Sequence, residues 1–157
     1  AKHHKKGARI FFAFLCSSVV VAALFFVVQS NMPDISVKVA AMQTGIQATY
    51  PNYIPRDYRL SGVYTTQDNS VAMDFIGPNQ AKFTLTEEKL PWDSTALLNR
   101  FVKQKWGENY DSIREQGITI YINGSNATWV NAGIVYKIIN HQGELSKKQI
   151  KNIVTSL

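Results

Sequence analysis

Residues 118–139 decide the fold: Ile118-Thr119-Ile120-Tyr121-Ile122-Asn123-Gly124-Ser125-Asn126-Ala127-Thr128-Trp129-Val130-Asn131-Ala132-Gly133-Ile134-Val135-Tyr136-Lys137-Ile138-Ile139. Ile118, Ile120 and Ile122 alternate with Thr119 and Tyr121. Alternation with β-branched side chains is the pattern of a strand that buries one face. Asn123-Gly124 then gives the strongest short hairpin signal in the chain, since glycine enters the positive-φ region without a Cβ clash. A second strand is expected over about 125–130, a turn at Asn131-Ala132-Gly133, and a third strand from Ile134 to Ile139. Trp129 falls at a central strand position and is expected in the core.

Towards the carboxyl end, His141-Gln142-Gly143 reads as a turn, which makes His141 a solvated residue. Ser146 with Gln149 three positions later forms a capping box, and Leu145 against Ile150 forms its hydrophobic staple. Ile150, Ile153, Val154 and Leu157 follow on one face, so a short helix is expected to pack on the sheet.

Towards the amino end, strands are expected at roughly 58–65, 70–76 and 80–87, separated by turns at Asp68-Asn69 and Gly77-Pro78-Asn79. Phe83, Leu85 and Glu87 alternate with Lys82, Thr84 and Thr86. Asp93 or Ser94 is suited to cap a helix whose face is Leu97, Leu98, Phe101 and Val102, with Gly107 as its stop. Tyr50-Pro51-Asn52-Tyr53-Ile54-Pro55-Arg56-Asp57-Tyr58 is no regular helix, because its prolines forbid one. Its aromatic residues are expected to pin an extended segment on the core. Residues 29–45 read as a linker helix, with Pro33 in its first turn and Gly45 at its end. Consecutive strands on short links imply antiparallel pairing. The expected class is α+β: an N-terminal transmembrane helix, then one curved antiparallel sheet packed with helices on one face.

The transmembrane part rests on residues 10–28, Ile-Phe-Phe-Ala-Phe-Leu-Cys-Ser-Ser-Val-Val-Val-Ala-Ala-Leu-Phe-Phe-Val-Val, which carry no charge. Nineteen residues of helix reach roughly 28 Å, close to the hydrocarbon thickness of a bilayer. Lys2, Lys5, Lys6 and Arg9 precede them, so the basic tail 1–9 is expected in the cytoplasm and the rest outside. This places the chain in the cell membrane, single-pass, with an extracytoplasmic domain over 46–157. The apolar run exceeds the length usual in a signal peptide, which favours a retained anchor, although Val28-Gln29-Ser30 offers a cleavage site. Of the chain's 17 basic residues only 13 remain beyond position 28, against 11 acidic ones. The chain-wide net charge of +6 therefore belongs mostly to the tail, and nucleic acid is not an expected partner.

Two stretches are similar to a bacterial family, domain of unknown function 4367, found in the outer part of single-pass envelope proteins. Residues 51–58 resemble its Pro-x-Tyr-Leu-Pro-x-Gly-Tyr opening, with Ile54 in place of Leu and Asp57 in place of Gly. Residues 127–136, followed by the capped helix, resemble its closing part. The resemblance spans about residues 46–157 and implies a membrane-anchored extracytoplasmic domain. It extends to proteins like anti-sigma regulators, and it implies no activity.

Chemistry is sparse. Cys16 is the only cysteine and lies in the apolar run, so the outer part has neither disulfides nor thiol catalysis. His141 is the only histidine there. Glu87, Glu88 and Asp93 are the candidates for a carboxylate pair, but Glu87-Glu88-Lys89 reads as surface charge at a strand end. The sequons at Asn123 and Asn126 read as turn chemistry. Trp92, Trp106 and Trp129 supply aromatic surface, most of it expected in the core, with a greasy groove as the functional alternative.

No residue is therefore assigned a catalytic, cofactor-binding or metal role, no cofactor is expected, and the ligand-binding residues are left unassigned. The expectation is a non-catalytic membrane protein whose outer domain binds an apolar ligand or another envelope protein in the sheet's concavity. The alternatives are the sensory domain of an anti-sigma-like transmembrane regulator and a pilin-like subunit with Gly7 ending a leader. The lipid bilayer is the expected partner of the N-terminal helix.

Overall fold

Seven strands form one antiparallel sheet in the computed structural model, which describes residues 37–41 and 45–157. The chain divides after Ile35, and the sheet belongs to the unit Ser36–Leu157. The basic tail, the apolar run 10–28 and most of the linker helix lie outside the described residues. Among the described residues no helix is long and apolar enough to cross a membrane.

The strands are β1 (Arg59–Thr65), β2 (Val71–Ile76), β3 (Lys82–Lys89), β4 (Asp111–Glu115), β5 (Ile118–Asn123), β6 (Asn126–Asn131) and β7 (Ile134–Gln142). Their order is β1-β2-β3-β7-β6-β5-β4. Two meanders thus meet where β3 pairs with β7, and β7 is the central strand. β4 is absent from the sequence reading, because Asp111-Ser112-Ile113-Arg114-Glu115 carries one apolar residue and charges on an edge.

Tight loops set the register. Asn123 pairs with Asn126, so the β5–β6 loop is Gly124-Ser125, one position later than the Asn-Gly reading placed it. Asn131 pairs with Ile134, leaving Ala132-Gly133 as a two-residue loop with φ of 49° and 78°. Positive φ at both positions is the requirement of the type I′ turn, whose twist matches that of the strands it joins.

Register then assigns each residue a face. One row crosses the sheet as Ile113, Ile120, Trp129, Tyr136, Glu87 and Val71. This inner face holds the main core, including Trp129, Phe75, Phe83 and Leu85, all fully buried. The terminal helix Lys147–Val154 covers it with Ile150, Ile153 and Val154. Its expected capping box is present, with Ser146 and Gln149 each serving the other's backbone N–H.

The proline-rich segment packs on the same face. Tyr50 lies 6.1 Å from Phe75 and Tyr58 5.3 Å from Phe83, ring centre to ring centre. Gly77 permits that approach, since a Cβ there would sit 2.7 Å from the Tyr58 ring. Asp57 has φ 67°, the left-handed region that glycine enters without strain. That conformation accounts physically for a pattern with glycine at this place. Residues 37–41 are helical, with Val37 and Ala40 in the core, and Gly45 follows at φ 67°.

The expectation of helices on one face needs correction. The mid-chain helix, Ser94–Leu97 continued through a π-helical turn Leu98–Val102 into Lys103–Trp106, lies against the opposite, outer face. Its Leu97 and Val102 form a second core with Tyr121 and Val135. Those two strand residues have the parity opposite to Ile120 and Tyr136, so β5 and β7 are apolar on both sides. Asp93 caps the helix by accepting from the Ala96 N–H at 2.7 Å, and Gly107 ends it at φ 61°.

Candidate functional site

The outer face is only partly covered. The mid-chain helix is tied over β5 by the Tyr121 hydroxyl, which donates to the Ser94 carbonyl at 3.0 Å. Beyond its end follow two outer rows, Tyr64, Ala72, Thr86 and Lys137 in one, Asp74, Thr84 and Ile139 in the next; Tyr64 and Ile139 are exposed, whereas Ala72 and Thr84 are buried. Ile139 is 44% exposed although it belongs to the central strand. Beside it lies a notch of about 360 Å³, walled by Phe101 and Trp106 and floored by Lys137 and Ile139, with Lys105 among its lining residues. The two aromatic rings meet edge to face, 5.8 Å apart. The Lys137 ammonium lies 5.1 Å from the Phe101 ring centre and pairs with Glu88 at 2.9 Å. Lys105 pairs with no carboxylate among the described residues.

Next to the notch runs a chain of hydrogen bonds. Thr84 Oγ1 donates to Asp74 Oδ1 at 2.6 Å and lies 2.8 Å from His141 Nε2. Lys82 pairs with Asp74 at 2.9 Å. Burial works against the Asp74 charge, but the hydrogen bonds from Thr84 and Lys82 outweigh it and hold the carboxyl below its usual range. The directions of the bonds determine the chemistry. A hydroxyl has one proton; Thr84 gives it to Asp74, so His141 donates through Nε2. The imidazole then has no lone pair placed to take the Thr84 proton, and the order Asp–Thr–His is not that of a nucleophile activated by histidine. His141 itself lies in β7, which runs to Gln142, and not in the turn expected for it.

The three carboxylates weighed as a pair do not meet. Glu88 is on the outer face with Lys137, and Asp93 is a helix cap. Glu87 is on the inner face and 0% exposed, so the reading of it as surface charge was wrong. Its alternation with Phe83 and Leu85 carried the true signal. Burial pushes its carboxyl up to about 8, against the pull of a hydrogen bond from the Thr49 N–H at 3.1 Å.

Of the tryptophans, Trp129 is fully buried as its strand position implied, stacked on Tyr136 at 5.1 Å and 3°. Trp92 lies under Arg100 at 6.0 Å, and Trp106 alone lines the notch. Of the two sequons, the one at Asn126 is closed in the folded domain. Thr128 is fully buried and donates to the Tyr136 carbonyl, and Asn126 Oδ1 accepts from the Asn140 N–H. Asn123 donates to the Asn109 carbonyl. Among the described residues no three His, Cys, Asp or Glu side chains converge as metal ligands. No protein-family model matches the chain, and no curated protein matches it.

Proposed function

We propose that the protein is a single-pass envelope protein whose outer domain is a non-catalytic binding module, and that the notch at Ile139 takes the apolar part of an anionic amphiphile. The exposure of Ile139 carries this reading. A central strand normally buries its large aliphatic residues, and full burial of one is worth about 1.5–3 kcal/mol. An acyl or aryl group laid between Ile139, Phe101 and Trp106 recovers that burial. Lys105 supports an anionic head, since Lys137 and Lys82 already have carboxylate partners. The size agrees with small-ligand sites, which begin at about 300 Å³.

Brominated dodecanoate, which quenches indole fluorescence at contact, tests the reading on the unit that begins at Ser36. Saturable quenching is expected. It should vanish in Trp106→Phe and weaken at least about tenfold in Ile139→Lys, a loss of about 1.4 kcal/mol. Equal quenching in all three proteins would sink the proposal.

A further inference from the structure

The inner face holds polar groups that the fold leaves underused. Trp129, Tyr136 and Glu87 are consecutive in one row. The Trp129 Nε1–H is buried and has no hydrogen-bond partner. Among the described residues the only hydrogen bond to the Glu87 carboxyl comes from the Thr49 N–H. Tyr136 makes no side-chain hydrogen bond among the described residues, and it lines a cleft of about 510 Å³. The cleft lies between the stretch 45–49 and the β6–β7 loop, and Gln47, Thr49, Lys89, Asn131 and Ile134 also line it. Lys89 pairs with no carboxylate among the described residues.

Of Trp129, Tyr136 and Glu87, Tyr136 alone lines the cleft, where its hydroxyl is a donor without a partner among the described residues. Indole N–H donates only, and burial raises the Tyr136 phenol to about 12, with Glu87 adding to the shift, so it keeps its proton. Glu87, held up to about 8, is also protonated near neutral pH. An unpartnered hydroxyl beside the Lys89 ammonium suits an acceptor-rich, negatively charged guest. We propose that this cleft is a second binding site, separate from the notch, for a small carboxylate that accepts from the Tyr136 hydroxyl, meets Lys89, and rests its apolar body on Ile134 and the Tyr136 ring.

Glu87 then acts as a positioning residue through its charge. It sits beside Tyr136 on the neighbouring strand, so its ionised form repels the guest that its neutral form admits. Packed around it are Tyr136 from β7, Val71 from β2 and the Thr49 N–H; among the described residues Tyr136 is the one titratable neighbour, and no cation offsets the charge.

The test is titration of the full chain in nonionic detergent with benzoate, and with benzamide as its neutral counterpart, followed by calorimetry. Benzoate should bind saturably, with constant affinity from about pH 6 to 7 and a fall of about tenfold per unit above about pH 8. Tyr136→Phe retains the ring and its stacking and should weaken binding at least about tenfold. Glu87→Gln should bind benzoate with its slope above pH 8 abolished. Benzamide binding as tightly as benzoate, an unaffected Tyr136→Phe, or an unchanged pH slope in Glu87→Gln would each overturn the proposal. The quenching experiment on the notch is independent of all of these outcomes.

Discussion

Glu87 and Glu88 are adjacent in β3 and occupy different solvents. The first faces the sealed inner side of the sheet and is pushed up to about 8; the second faces the half-open outer side and pairs with Lys137 at 2.9 Å. The same contrast runs through the neighbouring rows. Inner positions are closed by the terminal helix, by residues 37–41 and by the tyrosines of the proline-rich segment. Outer positions are closed over β5 and β6, whereas Tyr64 on β1 is 47% exposed and Ile139 on β7 44%. One set of strands therefore serves two purposes. Its inner face supplies most of the stability and opens only at the cleft beside Tyr136, while its outer face keeps residues such as Ile139 uncovered.

The largest test of this contrast is truncation of aromatic rings on opposite faces. Trp129→Ala should lose about 3–5 kcal/mol in urea denaturation, because the ring is fully buried among Tyr136 and its neighbours and leaves a cavity. Tyr64→Ala, on the outer side of β1, should lose less than about 1 kcal/mol. Similar losses for the two would mean that the faces are not energetically distinct.

The second test is pH. Glu87 has an ordinary value of 4.5 in the unfolded chain and about 8 in the folded one. Between these values the folded state holds the extra proton, so stability falls as pH rises. The slope is at most about 1.4 kcal/mol per unit, and the total is a few kcal/mol. Below the window and above it the contribution is flat. Glu87→Gln should remove the slope, whereas Glu88→Gln should leave it, and a melting series across the window distinguishes them. A slope that survives in Glu87→Gln would place the responsible proton elsewhere.

Legibility followed the same division. Six of the seven strands could be read because runs of β-branched and aromatic residues between turn signals mark them, and the terminal helix because its cap and staple are local. β4 escaped because an edge strand owes its pairing to a neighbour rather than to its own apolar residues. The opposed helix layers escaped because Tyr121 alternates with the inward isoleucines and so reads as outward, until Leu97 and Val102 cover it. The sites were less legible still. Glu87 stood in the inward parity, yet charge argued for the surface, and only three-dimensional packing decides between the two. Ile139 is indistinguishable in sequence from Ile138, which is 1% exposed.

A third and smaller test leaves both faces intact and acts on the loop that assigns residues to them. Ala132 holds φ 49° with no side-chain hydrogen bond to compensate, in a turn whose first position favours asparagine. Ala132→Asn should stabilise the domain by about 0.5–1 kcal/mol, visible as a higher urea midpoint at unchanged slope. A loss would mean that the β6–β7 register depends on more than the turn.

The smallest effect is expected where the recognition reading is most exposed. Ile138 and Ile139 are neighbours on the central strand, one packed in the main core and the other forming the floor of the notch. Ile138→Thr puts a hydroxyl into a sealed layer and should cost several times what Ile139→Thr costs, which should stay within about 0.5 kcal/mol. If Ile139 exists for packing, its replacement by threonine would destabilise the domain and leave amphiphile quenching of Trp106 intact. If it exists for a ligand, urea denaturation should barely register the change and the quenching should weaken. The two readouts move in opposite directions under the two explanations, so a single conservative variant separates a site from an accident of incomplete coverage.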